Sequence, residues 1–372
     1  MNETIPMSSA DLDESDADAV LRVIRSGRLA LGPLSVEFEQ RVAEYVGVKH
    51  GVTVSSGTAA LHLIVKALGI GAGDEVLVPS FTFAASVNAF LYERATPVFV
   101  EIEDETYNLD PADLARKVTS RTKAIMAVDV FGHPAEWDAV MAVADQYGLK
   151  VIDDSCEALG AEYKGRKVGQ FGDAAAFAFY PNKQMTTGEG GIVVTNDDHI
   201  AQVCRSLRNQ GRGEMGAWLE HERLGYNYRL DEMSAALGVS QLKRLEQFLR
   251  KREEVAGLYR KRLADLDWIR APVVKPHVRM GWFVYVVTLA EGLERGEVMR
   301  AMEARGIPVR GYFSPVHLQP YLKEFLGPQT IDLPVTCAVA SRTIALPFHN
   351  NMTPAQVDQV VTTLQESVGC LT

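Results

Sequence analysis

Residues 176–191, AFAFYPNKQMTTGEGG, carry a lysine, Lys183, from the end of an apolar run into a loop rich in threonine and glycine. An amine in a partly apolar setting loses some of its preference for the charged form and becomes a usable nucleophile toward a carbonyl carbon. A lysine in a loop is ordinarily a solvated surface group, so Lys183 needs partners elsewhere in the chain to mean more. Ser55-Ser56-Gly57-Thr58 supplies one. It lies between an apolar run and a helix expected to begin near Thr58, where backbone N–H groups and the helix dipole favour an anion. Gly57 lets the backbone approach closely, and the Ser56 and Thr58 hydroxyls can add donors. An ordinary helix cap is the plainer alternative. Asp153-Asp154 supplies the other, ending the run KVIDD where an open parallel sheet places its ligands. A carboxylate buried there needs a cation, and a protonated pyridine nitrogen is one. Asp154, nearer the carboxyl edge of the run, is better placed than its neighbour, with an Asx turn as the alternative.

A nucleophilic lysine, a phosphate cradle and a carboxylate for a ring nitrogen are together what pyridoxal phosphate (PLP) requires of a protein. Phe83, in PSFTFAAS, could stack on such a planar ring or belong to the core. The glycine run Gly69-Ile70-Gly71-Ala72-Gly73 resembles a dinucleotide loop, but it precedes a strand instead of following one and reads as a turn.

The elements that must hold these groups follow from the hydrophobic pattern. Apolar runs at 51–56, 75–80, 96–102, 124–132, 150–155, 174–180 and 191–196 read as strands, with helical periods at 58–68, 84–92 and 135–147 between them. That alternation predicts an α/β domain built on a mostly parallel mixed sheet buried on both faces. Residues 230–263 read as one long amphipathic helix without internal proline. Beyond it, apolar runs at 282–290 and 307–313 flank a helix near 297–305, which suggests a smaller α+β domain. The division expected is a large cofactor-binding domain over 1–250 and a small C-terminal domain over 251–372, closely packed because no low-complexity linker separates them.

Composition narrows the function. The chain has 372 residues, 47% of them hydrophobic, enough for a substantial core. A net charge of -10 argues against a nucleic-acid or anionic-membrane surface, so an anionic substrate must be met by local basic groups. Four scattered cysteines without C-x-x-C spacing fit a reduced compartment and no metal site. An acidic N-terminus without an apolar core, and the lack of any long uncharged apolar window, predict a soluble cytoplasmic protein.

SSGTAALHL, PSFTFAASVNAF, DDSCEALGAEYKGRKVG, FYPNKQMTTGEGGIVVTN and LGYNYRLDEMSAALG occur in this order. Together they resemble the DegT-type sugar aminotransferases, fold-type I PLP enzymes that aminate keto-sugars attached to nucleotides. The resemblance covers essentially the whole chain. It implies that Lys183 is the lysine linked to PLP, Asp154 the partner of the pyridine nitrogen and Phe83 the stacking ring, with Ser56, Gly57 and Thr58 at the phosphate. It also implies that Asn227, in GYNYR, reaches the phosphate of a second copy, making a homodimer with shared active sites. Glutamate is the implied amino donor and a nucleotide-linked keto-sugar the acceptor, in amino-sugar and surface-polysaccharide biosynthesis. Arg212, Arg229, Arg310, Tyr312 and His317 lie in segments the family uses near its substrate, and each could equally be a surface or interface residue. Two positions depart from the common pattern: Ala178 replaces a phosphate-binding serine, and Glu157 stands where many relatives carry Gln or His. Some members that make 4-amino sugars are similar at Glu157, which favours the 4-keto position. A related enzyme acting on a cyclitol ketone, and a PLP-binding regulator without turnover, are the alternatives. Lys183 itself speaks against the family's dehydratase branch, which has histidine there.

Overall fold

A computed structural model describes residues 5–213, 220–327 and 331–370. Its centre is a seven-stranded sheet of β1 (His50–Val54), β2 (Glu75–Pro79), β3 (Thr96–Val100), β4 (Thr122–Val128), β5 (Lys150–Asp154), β6 (Ala174–Ala178) and β7 (Gly191–Thr195). The order is β1-β7-β6-β5-β4-β2-β3, and every pairing is parallel except the two made by β7. All five residues of β2 and of β7 are buried. Helices cover both faces, and strands buried on both sides must be apolar at successive positions, not only at alternate ones.

The expected strands all form, but they stop short of their apolar runs. Residues 124–132 were expected as one strand; β4 ends at Val128, and Val130–Gly132 turn as a short 3-10 segment with Phe131 at φ 58°. The residues that leave the strands build loops over the carboxyl edge of the sheet, where an open parallel sheet carries its ligands. The Gly69–Gly73 run is a turn, with Gly69 at φ 67° and Gly73 at φ 95° leading into β2.

Three expectations need correction. Residues 230–263 form two helices, Glu232–Leu242 and Leu245–Leu263, not one. The break at Arg244 serves Asp16, a nearly fully buried carboxylate on the helix Glu14–Ser26, which both Arg244 and Gln241 Nε2 (2.7 Å) reach. The helices Glu14–Ser26 and Pro33–Val46 were not anticipated, although Asp13 forms a capping box and Gly27 and Gly47 end them in the left-handed conformation. Residues 307–313 are irregular, apart from a bridge between Arg310 and Ala345. There Tyr312 and Phe313 turn onto Phe131 and Phe283, and ring packing replaces a ladder.

The C-terminal part is α+β, as expected. A three-stranded antiparallel sheet of Ile269–Arg270, Tyr285–Leu289 and Thr343–Leu346 packs with the helices Arg295–Ala304 and Pro354–Gly369. Phe81, Tyr107 and Phe131 of the N-terminal part share one apolar cluster with Tyr285, Val286 and Leu346, so the two parts meet on a common core.

Candidate active site

A cavity of about 330 Å³ opens at the carboxyl edge of the sheet. Lys183, Asp154, Glu157, Ser56, Gly57, Thr58, Phe83 and Tyr312 all line it. A roomier groove of about 770 Å³ lies among the helices Glu14–Ser26, Pro33–Val46 and Glu232–Leu242, but it holds none of the groups with chemistry to do.

Lys183 follows the end of β6 by five residues, in a loop pinned by backbone bonds from Thr187 to Phe179 and from Phe179 to Gly190. Its Nζ is 3.6 Å from Glu157 Oε1 and 3.7 Å from the centre of the Phe283 ring. Glu157 is 6% exposed, and its Oε2 accepts from the Phe131 N–H at 3.0 Å. Burial pushes the Glu157 carboxyl up, against the pull of the Lys183 ammonium and the Phe131 N–H. The half-buried Lys183 amine and the buried Glu157 carboxyl thus face each other across the cavity wall.

Asp154 ends β5 with 4% of its surface exposed. Its Oδ2 accepts from Ser86 Oγ at 2.6 Å and its Oδ1 from the Cys156 N–H at 3.2 Å. The Ser86 hydroxyl spends its one proton on Asp154, so the Thr82 hydroxyl, 2.8 Å away, donates to Ser86. Among the described residues no cation forms an ion pair with Asp154, although a buried carboxylate calls for one.

At the phosphate side, Ser56 caps the helix Gly57–Ala67 by accepting from the Ala59 N–H at 3.1 Å, and its carbonyl takes the Ala60 N–H. The N–H groups of Gly57 and Thr58 have no carbonyl one turn back within the helix and lie at the cavity wall. A Cβ on Gly57 would come within 2.8 Å of Ala178 Cβ and 2.9 Å of Cys156 Sγ, so glycine alone lets the helix start sit this close to β6. Phe83, at the head of the helix Ala84–Leu91, is 64% exposed, an open ring at the cavity mouth and not a core residue.

PLP fits this arrangement. An unpaired buried carboxylate awaits a ring cation, a helix start awaits an anion, and an amine lies between them. Asn182 Oδ1 is a further buried cavity atom without a hydrogen-bond partner. Among the described residues lining the cavity, Lys183 is the one cation, against Asp154, Glu157 and Glu189.

The remaining expected residues lie elsewhere. His317 is outside the cavity, 6% exposed, with Nδ1 bonded to Ser80 Oγ at 2.6 Å; it locks its turn onto the residue after β2. Burial pushes this imidazole down toward its neutral form. Arg310 pairs with Glu303 at the surface, and Arg212 bridges His221. Arg229 donates to Asn209 Oδ1 at 3.0 Å, and the exposed Asn227 bridges Asn209, both away from the cavity of their own chain. Sequence reading missed Phe283 and the Thr82–Ser86 relay. The relay had a signal in the four-residue spacing of two hydroxyls across a helix start; Phe283 lies in a run that reads as core.

The comparisons with known proteins concern the chain as a whole. The model of the DegT/DnrJ/EryC1/StrS aminotransferase family matches residues 10–365. GDP-perosamine synthase of Caulobacter vibrioides is 41% identical, with 97% of this chain and 98% of that protein covered. The spore coat polysaccharide biosynthesis protein SpsC of Bacillus subtilis is 37% identical over 99% and 98% of the two chains. Among solved structures, Spr1654 from Streptococcus pneumoniae in its PLP form superposes with a TM-score of 0.93 at 27% identity, covering 99% of this chain and 100% of that one. The chain belongs to the DegT/DnrJ/EryC1/StrS family and is a PLP-dependent sugar aminotransferase.

Proposed function

We propose that the chain transfers the amino group of glutamate to the 4-keto carbon of a nucleotide-linked sugar, in amino-sugar and surface-polysaccharide biosynthesis. The observation that carries this reading is the convergence on one cavity of the Lys183 amine, the unpaired Asp154 carboxylate and the helix start at Gly57–Thr58. Bound PLP supplies an electron sink for the charge that develops at the donor's α-carbon. Asp154, oriented by Ser86 and the Cys156 N–H, holds the positive charge at the ring nitrogen. Gly57, Thr58 and the Ser56 hydroxyl hold the phosphate, doing without the hydroxyl that Ala178 lacks. Phe83 covers the ring face. Lys183 Nζ would carry the donor's α-carbon proton to the aldehyde-derived carbon of PLP and, in the second half-reaction, a proton from that carbon to the sugar carbon being aminated, with Glu157 at 3.6 Å steadying the charged amine in between.

Tyr312 is the substrate contact within the chain's own cavity. Asn227 and Arg229, which do not line that cavity, serve the phosphate and substrate of a second copy in a homodimer. The scarcity of cations in the cavity supports this, because a sugar diphosphate needs positive groups from beyond it. The similarity to GDP-perosamine synthase points to a GDP-linked acceptor, and Glu157 with the loop TTGEGG to the 4-position. The PLP-binding residues fall in the large unit, 1–250, and the smaller C-terminal unit, 251–372, lends Phe283 and Tyr312 to the same cavity. Four free cysteines suit the reducing cytoplasm, and no helix among the described residues is long and apolar enough to cross a membrane.

Glutamate added to the PLP-loaded protein is expected to abolish the visible absorbance of the lysine-linked cofactor, and a GDP-linked 4-keto-sugar to restore it. No spectral change with any amino acid would overturn transamination. A product amine at another sugar carbon would overturn the regiochemistry alone.

A further inference from the structure

Arg252, on the helix Leu245–Leu263, is the one arginine among the largest fully buried side chains, 2% exposed, and no described carboxylate forms an ion pair with it. Its hydrogens go to backbone carbonyls instead. Nη1 donates to Trp282 O at 2.9 Å and Phe283 O at 3.1 Å, and Nη2 donates to Lys183 O at 2.9 Å. Nε is buried with no partner. The anion that acts on it, Asp11, is bonded to Lys251, and the neighbouring His349 keeps both ring nitrogens without hydrogen bonds. A guanidinium buried without a counter-ion is costly, and an apolar side chain would often serve packing better.

The three carbonyls explain what the cost secures. One belongs to Lys183 itself. Another belongs to Phe283, whose ring lies 3.7 Å from Lys183 Nζ. Both halves of the amine–ring contact therefore hang on one planar fork. A second tie runs in parallel: Gln184 Nε2 donates to Glu157 O at 2.6 Å and to Gly281 O at 3.1 Å. Between them, Arg252 and Gln184 fasten the lysine loop to residues 281–283 and to the backbone of Glu157.

We propose that Arg252 is a positioning residue for Lys183, holding the lysine backbone and the Phe283 ring in register so that Nζ meets the aldehyde carbon of PLP. The proposal rests on Lys183 being the lysine that links to PLP. The test uses the full chain stripped of cofactor. Thermal unfolding reports folding, PLP affinity is measured by absorbance, and the rate at which borohydride traps pyridoxal on Lys183 is read by mass spectrometry. Arg252→Met is expected to weaken PLP binding at least tenfold and to slow trapping per folded molecule. Arg252→Lys, with three donors for three carbonyls, is expected to recover part of that loss at near wild-type melting temperature.

Wild-type affinity and trapping rate in folded Arg252→Met would overturn the proposal, leaving only a packing role. If Arg252→Met does not fold, Arg252→Lys decides: weaker PLP binding at unchanged melting temperature supports positioning, and unchanged binding overturns it. Failure of the wild type to trap pyridoxal on Lys183 would instead overturn the assignment of the lysine.

Discussion

Replacing Asp153 with asparagine is expected to make the protein more stable above pH 4, and the structure fixes why. Asp153 and Asp129 are both completely buried, and Ser155 Oγ lies 2.6 Å from an oxygen of each. A hydroxyl has one hydrogen to give, so one of the two carboxyls must keep a proton and donate it to the serine. Asp129 Oδ1 also accepts from the Ala135 N–H at 2.7 Å and Trp137 Nε1 at 3.2 Å, whereas Asp153 has one other donor, the Gly169 N–H at 2.8 Å. Better solvated by donors, Asp129 carries the charge, and Asp153 keeps the proton. Burial pushes Asp129 up to about 6 and Asp153 well above the carboxylate range, where the Asp129 charge adds to the effect.

A carboxyl raised in the folded state binds its proton more tightly there than in the unfolded chain. Its contribution to stability is complete below the unfolded value near 4 and is lost as pH rises toward the folded one. The loss is about 1.4 kcal/mol per pH unit per proton, or about 3 kcal/mol between pH 4 and pH 6. Asparagine reproduces the protonated geometry, with its amide nitrogen donating to Ser155 and its oxygen accepting from Gly169, and takes up no proton. Urea unfolding of the cofactor-free chain at half-unit steps measures the difference between variant and wild type. That difference should start near zero at pH 4 and grow to about 3 kcal/mol in favour of Asp153→Asn by pH 6. A flat difference, or an asparagine variant weaker throughout, would refute the shared proton.

Phe83→Ala is expected to leave melting unchanged, because the ring is 64% exposed, yet to weaken PLP binding about 2- to 13-fold, the equivalent of about 0.5–1.5 kcal/mol of ring stacking. Fluorescence titration of the stripped protein measures it, and a large loss of melting temperature would show that the ring is core. Gly57→Ala inserts a methyl 2.8 Å from Ala178 Cβ and 2.9 Å from Cys156 Sγ. Overpacking of about 1–3 kcal/mol outweighs the helix propensity gained, about 1 kcal/mol, so both melting temperature and PLP affinity should fall. Asn227→Ala and Lys183→Ala, each inactive alone, should recover about a quarter of wild-type activity when reassociated in equal amounts, since half the dimers then hold one intact site of two. Absence of recovery would place Asn227 in the site of its own chain.

What could be read from the sequence depended on how locally each role is determined. The meeting of Lys183, Asp154 and Gly57 at one cavity was legible because Asp154 ends a strand, Gly57 starts a helix and Lys183 follows a strand by five residues, and such places advertise themselves locally. Phe283 and Arg252 gave no such signal. The aromatic lies in a run, 282–290, that reads as a core strand, and the arginine in a helix where any long polar side chain reads as solvated. Their contacts exist only because the C-terminal part folds back over the lysine loop, bringing Phe283, a hundred positions away, to Lys183 Nζ and Arg252, 69 positions away, to the Lys183 carbonyl. His317 shows the converse. Its segment reads as close to substrate, but Ser80 bonds Nδ1 and the buried ring does not line the cavity. The long helix expected over 230–263 broke for a comparable reason, since Arg244 answers to Asp16, a residue more than two hundred positions upstream. In each case a polar side chain's function was settled by whichever distant partner satisfied it, and periodicity carries no record of that partner. Residue types with few ways of being satisfied in a core, such as a carboxylate beside a strand end or an arginine without an acid, are therefore where a reading from sequence is most worth testing against the fold.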